Sequence, residues 1–246
     1  MWKKVVQMML LLPVMGLVAM PVASAAGQDM KALRAKLEKS LPGGLKVTTI
    51  KKSPVKGIYE VHSGSRIMYV TADARHLFVG SLIDLKRELN LTREAQKGVT
   101  VKRLARVDES TMLIIGPKKA KHTLTVFTDV DCGYCSKLHL EVPKLNKNGI
   151  RVRYLFYPRA GVGSQSYKRA VAVWCAKDRV KAIGAAKARK PIDMKECKNP
   201  IADHYVLGQE LGLNGTPMLI MDDGTIINGY QPAPELIKAF KAKTKG

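Results

Sequence analysis

The sequence predicts an α/β protein of two units, in α+β order: a small mixed unit first, then a larger one built around a sheet. Three observations predict it. The alternating run Leu124-Thr125-Val126-Phe127-Thr128 reads as a strand with one buried face, and it passes through two cysteines into a segment with helical apolar spacing at Leu138, Val142 and Leu145. Ahead of it, one helical pattern is followed by four short strand-like runs separated by turn clusters. Behind it come a strand, helical stretches, a strand hairpin and a last helix.

A strand that runs through C-x-x-C into a helix is the thioredoxin-like redox arrangement. Here the motif is Cys132-Gly133-Tyr134-Cys135. Disulfide exchange needs a thiolate, and a free thiol with a pKa of about 8.5 supplies little of it at neutral pH. At the first turn of a helix, unpaired N–H groups and the helix dipole stabilise the anion. Cys132 is therefore the expected exposed nucleophile. Cys135, three residues on, shares its helix face and is placed to attack a mixed disulfide on Cys132. Gly133 and Tyr134 are expected to tune the thiolate and its redox poise. C-x-x-C alone would suit a structural disulfide or half a zinc site equally well; the strand before and the helix after favour redox chemistry. His139 lies one turn beyond Cys135, but Cys132, Cys135 and His139 have no evident fourth ligand, so no metal is expected, nor any organic cofactor.

The chain opens with Lys3 and Lys4, an almost wholly apolar stretch over 5–18, and Ala23-Ser24-Ala25. This is the pattern of a secretory signal peptide, residues 1–25, cleaved after Ala25. No other apolar run approaches the roughly 20 residues a membrane span requires, so no stable membrane insertion is expected after its removal. The remaining 221 residues exceed one thioredoxin-like unit. Four cysteines in an exported chain fit an oxidising compartment, the periplasm. The chain carries 42 basic and 20 acidic residues, a net charge of +22, or +20 without Lys3 and Lys4. Its lysines are scattered, without an aromatic-interleaved basic motif, which argues against nucleic acid. Solvated faces, with some attraction to anionic membrane surfaces or acidic clients, are the expected meaning.

Residues 26–90 form the first unit. Met30, Leu33, Leu37 and Leu41 recur at helical spacing after Asp29, the expected cap, and Pro42-Gly43-Gly44 ends that helix. Strands are expected over 45–51, 58–62, 66–71 and 76–79. His62 and His76 are expected at the surface. So thin a sheet has little core of its own and exposed edges, so pairing with a second copy is expected to stabilise it. Residues 91–111 read as a charged linker helix, capped by Thr92 and weakened near Gly98.

Residues 112–246 form the second unit, a thioredoxin-like domain with an inserted helical subdomain. Strands are expected over 112–115 and 151–157, helices over 164–176 and 200–211, a hairpin of 218–221 and 225–228, and a last helix from Pro234. Thr216-Pro217 precedes an apolar strand, the place where a cis-proline lies against C-x-x-C and leaves the preceding backbone free for an extended substrate. Cys175 and Cys197 most simply bond to each other.

Taken together, 127–139 (FTDVDCGYCSKLH), 157–161 (YPRAG), 174–178 (WCAKD), 202–217 (ADHYVLGQELGLNGTP) and 229–232 (GYQP) resemble the DsbC family of periplasmic disulfide isomerases. The resemblance is densest from Met112 onward. It implies a V-shaped homodimer joined through the first units, whose cleft holds misfolded exported proteins with non-native disulfides. It implies Cys132 as nucleophile, Cys135 as resolving cysteine, Thr216 and Pro217 as the substrate contact, Cys175–Cys197 as a structural disulfide, and an inner-membrane thiol reductase that keeps the redox pair reduced. The basic charge departs from the family pattern. The rival activities are a DsbA-like oxidase, which is usually monomeric, and a chaperone whose cysteines are secondary; the related DsbG branch typically has proline where Gly133 stands.

Overall fold

The computed structural model describes residues 23–41 and 45–243. Its first element, helix α1 (Ala23–Ser40), begins at Ala23 rather than after Asp29. Alanines at 23, 25 and 26 are strong helix formers and carry the helix through the expected cleavage site. Residues 1–22 of the expected leader, and the Pro42-Gly43-Gly44 stop, lie outside the described residues. Strands β1 (Thr49–Lys52), β2 (Ile58–Ser63), β3 (Arg66–Thr71) and β4 (Leu77–Phe78) form one antiparallel sheet in that order. Leu33 and Leu37 of α1 pack on Val47, Val61, Met68 and Val70, with Val61 directly opposite Met68.

The other face of this sheet is also covered. A two-stranded ribbon that the sequence did not announce, β5 (Ile83–Asp84) with β6 (Leu89–Asn90), leads into helix α2 (Leu91–Leu104). Tyr69 of β3 meets Thr92 of α2 with its hydroxyl 2.6 Å from Oγ1. The Thr92 hydroxyl also accepts from Leu82 N, so it is not free to cap; Asn90 caps α2 instead, accepting from Arg93 N at 2.9 Å. His62 points to the same side as Tyr69 and is buried, not at the surface, with Nε2 2.5 Å from Glu60 Oε1. The helical pattern of the linker stops at Leu104, and a 3₁₀ turn (Glu109–Thr111) follows.

The second unit is a five-stranded sheet of order β11-β10-β8-β9-β7, from β7 (Leu113–Ile115), β8 (His122–Thr128), β9 (Ile150–Phe156), β10 (Met218–Ile220) and β11 (Ile226–Asn228). Only β8 and β9 are parallel, joined over the sheet by helix α3 (Gly133–Lys147). One face carries Leu124, Val126, Tyr154 and Phe156 beneath α3, α4 (Gln165–Cys175), α5 (Arg179–Lys187) and α7 (Ala233–Lys243). The other carries Phe127, Leu155, Met218 and Ile220 against Leu104 of α2 and Leu211 and Leu213, which follow α6 (Ile201–Glu210). Helix α6 comes so close that a Cβ on Gly208 would lie 2.6 Å from the Tyr157 ring. Because both faces are covered, all of Leu124 to Thr128 is buried, although alternation predicted one buried face. The threonines that produced the alternation find partners: Thr125 Oγ1 accepts from Arg153 Nε at 2.6 Å.

Helix α5 was not foreseen; its sequence shows no clear apolar stripe, and Asp178 starts it by accepting from Lys181 N. The two units meet where the β10–β11 turn rests on α2: Gly224 has φ +85°, and a Cβ there would lie 2.3 Å from Lys97 O. Arg103 of α2 pairs with Glu210 of α6, and Ser65 donates to Glu210 O.

Cys175, at the end of α4, is bonded to Cys197, 22 positions further along the sequence, with Cα atoms 5.8 Å apart. Cross-linking a loop of that size contributes about 3 kcal/mol in the chain-entropy account. Replacing both cysteines by serine should therefore lower unfolding stability by about that amount, read as a lower urea midpoint. Alkylation of Cys132 in the folded fraction should continue at the original rate.

Candidate active site

Strand β8 delivers the chain to Asp129, and the turn Asp129-Val130-Asp131 leads to Cys132, which occupies the N-cap of α3 with φ −85° and ψ 122°. Its carbonyl accepts from Ser136 N at 3.0 Å, so the helix begins directly at the motif. Both Cys132 and Cys135 are free thiols. Cys132 is only 3% exposed, against the expectation of an exposed nucleophile; the intervening Gly133 and Tyr134 form the exposed surface, Tyr134 at 64%. Tyr134 stacks on Tyr230 with ring centroids 6.3 Å apart, and Lys137 Nζ lies 4.7 Å from the Tyr230 ring.

Thr216 and Pro217, 84 positions away in sequence, face the motif. The bond between them is cis, and Cys132 as a thiol donates to Thr216 O at 3.3 Å. The Pro217 carbonyl is taken by Gly229 N.

The loop before Cys132 is held by a carboxylate that sequence reasoning did not single out. Asp129 is buried; it accepts from Asp131 N at 2.9 Å and from both Arg159 N and Arg159 Nε at 3.0 Å. Arg159 lies in the run at 157–161 used for the resemblance, but nothing in its spacing tied it to Asp129. His139 Nδ1 lies 3.1 Å from the Tyr154 hydroxyl, and among the described residues His139 does not group with the cysteines as a metal-binding set. Burial and the nearby Lys187 charge lower its pKa to about 4, so it is neutral.

Residues 110–244 match the family described as thioredoxin-like domain, and residues 24–93 match the disulfide bond isomerase protein N-terminal domain. The thiol:disulfide interchange protein DsbC of Dickeya dadantii is 37% identical over 234 residues, covering 93% of this chain and 95% of that protein. DsbC of Escherichia coli strain K12 is 38% identical over 195 residues, 78% of this chain and 80% of that one. A solved disulfide interchange protein from Neisseria gonorrhoeae is 29% identical, covers 54% of this chain and 97% of its own, and superposes with a TM-score of 0.48. The chain belongs to the DsbC family of thiol:disulfide interchange proteins.

For a DsbC-family site the decisive property is the difference between its two sulfurs. The Cys135 thiol donates to the Cys132 sulfur, the Thr216 hydroxyl and then the Cys135 backbone N–H add further bonds, and Arg159 adds positive field. Together these outweigh burial and lower the Cys132 pKa to about 5. Cys135, donor in that bond and itself more deeply buried, is pushed up. At neutral pH the pair holds one thiolate at Cys132 and one thiol at Cys135.

Iodoacetamide labelling of the reduced chain should accordingly rise with a midpoint near pH 5, far below the ordinary thiol near 8.5. A pKa lowered by folding stabilises the folded reduced chain at high pH. That contribution is complete above the ordinary thiol range and vanishes as pH falls through about 5. Arg159→Met should move the labelling midpoint upward. A midpoint unchanged in that variant would show that the guanidinium does not act on Cys132.

Proposed function

We propose that this chain is a periplasmic disulfide isomerase in which Cys132 is the nucleophile and Cys135 the resolving cysteine. The observation that carries the proposal is the split between a stabilised thiolate at the helix N-terminus and a buried thiol three residues on. The Cys132 thiolate attacks one sulfur of a non-native disulfide; a Cys132–client bond forms, and the other client sulfur leaves as thiolate. A client thiolate then attacks the mixed disulfide and frees Cys132, leaving a rearranged bond with no net electron transfer. If no client thiol arrives, Cys135 attacks the Cys132 sulfur, the client departs reduced, and Cys132–Cys135 becomes the disulfide. That exit consumes two electrons, which an inner-membrane thiol reductase would restore. Gly133, Tyr134, Thr216 and Pro217 border the sulfur and are the proposed client contacts. Cys175–Cys197 is proposed to be purely structural, and no cofactor takes part.

Residues 1–25 would be removed on export, leaving a first unit over 26–90, a linker over 91–111 and a catalytic unit over 112–246. No helix among the described residues is long and apolar enough to cross a membrane. The first unit is proposed to form a homodimer through its sheet edge. Strand β4 lies at that edge, and Phe78 (52% exposed), Val79, Ile83 and Leu85 leave an apolar surface beside it. A dimer would set two thiolates around one client and would support chaperone activity on misfolded chains.

Cys135→Ser should retain isomerisation of scrambled ribonuclease while accumulating mixed disulfides through Cys132, counted on non-reducing gels; its ability to oxidise reduced clients should be lost. Rapid oxidation by the intact chain without rescue of the scrambled client would replace the isomerase by an oxidase. Sedimentation should return a dimer for the intact chain and a monomer for Phe78→Asp, which places a charge on the apolar edge. An intact chain that sediments as a monomer would end the dimer proposal.

A further inference from the structure

Lys187 closes helix α5 and is only 5% exposed, although lysine is among the residues least often buried unless paired. Its Nζ donates to Thr128 Oγ1 at 2.8 Å and to Asp129 O at 3.3 Å, and it lies 5.7 Å from the centre of the Tyr154 ring. Those are three acceptors for the three N–H groups of an ammonium: a hydroxyl, a carbonyl and an aromatic face. None of them is an anion. The position is fixed from the backbone, since Lys187 O accepts from Ser136 Oγ in the first turn of α3 at 2.9 Å.

The charged groups around it are otherwise committed. The Asp129 carboxylate is held by Arg159 and that of Asp131 by Arg169, at 3.2 Å. From α3, His139 is neutral; from β9, the Tyr154 hydroxyl is kept un-ionised by burial. Burial lowers the Lys187 pKa; of the charged groups that oppose this, Cys135 acts most strongly, then Cys132, Asp129 and Asp131. With both carboxylates held by arginines, the two cysteines are left to balance the cation. Thr128 completes the link: its hydroxyl accepts from Lys187 and hydrogen-bonds the Cys135 sulfur.

We infer that Lys187 is a positioning residue for the resolving cysteine: its buried ammonium, acting through the Thr128 hydroxyl, holds the Cys135 sulfur as the thiolate that attacks a mixed disulfide on Cys132. The inference rests on the roles proposed above for the two cysteines. In this step the Cys135 proton leaves to solvent. The thiolate electron pair forms the bond to the Cys132 sulfur, the bond from Cys132 to the client breaks, and the client sulfur departs as thiolate with that pair. The cation stays in place and counters the charge while it exists at Cys135. Lys187 therefore governs the escape route more than the first attack.

The test mixes the reduced full-length chain with oxidised glutathione and follows, by acid quench and mass spectrometry across pH, formation and then resolution of the Cys132–glutathione adduct. Lys187→Met should slow resolution at pH 7 by about tenfold, the equivalent of one pKa unit of lost thiolate stabilisation, and shift its pH profile to the alkaline side. Adduct formation should change less. Thr128→Val, which keeps the lysine and breaks the link, should shift the same profile in the same direction, and it decides the matter alone if Lys187→Met does not fold. A lysine with a merely structural role would leave the profile where it was, so an unshifted profile in the folded variant overturns the inference. A wild-type chain that forms no adduct on Cys132 would instead overturn the proposed cysteine roles, and the inference with them.

Discussion

The site depends on the hydrogen bond between two sulfurs at the junction of β8 and α3. Cys135 is buried against the central strand and remains a thiol, so it donates; Cys132, at the helix N-cap, receives that bond and becomes the anion. Two identical side chains three residues apart are thereby made chemically unequal. Each neighbouring feature adjusts this inequality. Asp129 anchors the preceding turn and brings Arg159 near Cys132, Thr216 closes the site from the opposite side, and Lys187 sits behind Cys135.

The same junction needs a rigid base. Strand β8 is covered on both faces, by α3, α4, α5 and α7 on one and by α2 and the segment after α6 on the other. A strand so enclosed cannot tilt without opening both cores, and it fixes where the turn at Asp129 begins. Helix α2 contributes to both units. Thr92 meets Tyr69 of the first sheet, and Leu104 enters the core of the second. The linker is thus a packed element, and the Gly224 turn and the Glu210 contacts hold it against the catalytic sheet.

Much of this was legible in the sequence. The apolar run into C-x-x-C, the helical spacing after it and the hairpin turn at Asp222-Asp223-Gly224 are local patterns with a local physical cause, and they place β8, α3, β10 and β11 at nearly their observed positions. Short-range competition was harder to read. Thr92 reads as an acceptable cap, a weaker one than Asn90, and its hydroxyl is taken by Tyr69 and Leu82, partners that lie outside the helix. His62 reads as a surface residue until α2 is known to cover it.

By itself the sequence determined that the chain holds a redox pair at a helix N-terminus, that a small sheet precedes it, and that Thr216-Pro217 follows late in the second unit. Those features are carried by neighbouring residues and by composition. Only the tertiary structure decided that Cys132 is enclosed and Cys135 more deeply so, that Asp129 and Arg159 form one clamp, and that the end of α5 puts an ammonium behind the resolving thiol. Burial and electrostatics sum over every group within a few ångströms. Arg159 and Lys187 reach the sulfurs from segments distant in sequence, and no spacing along the chain records where folding will bring them.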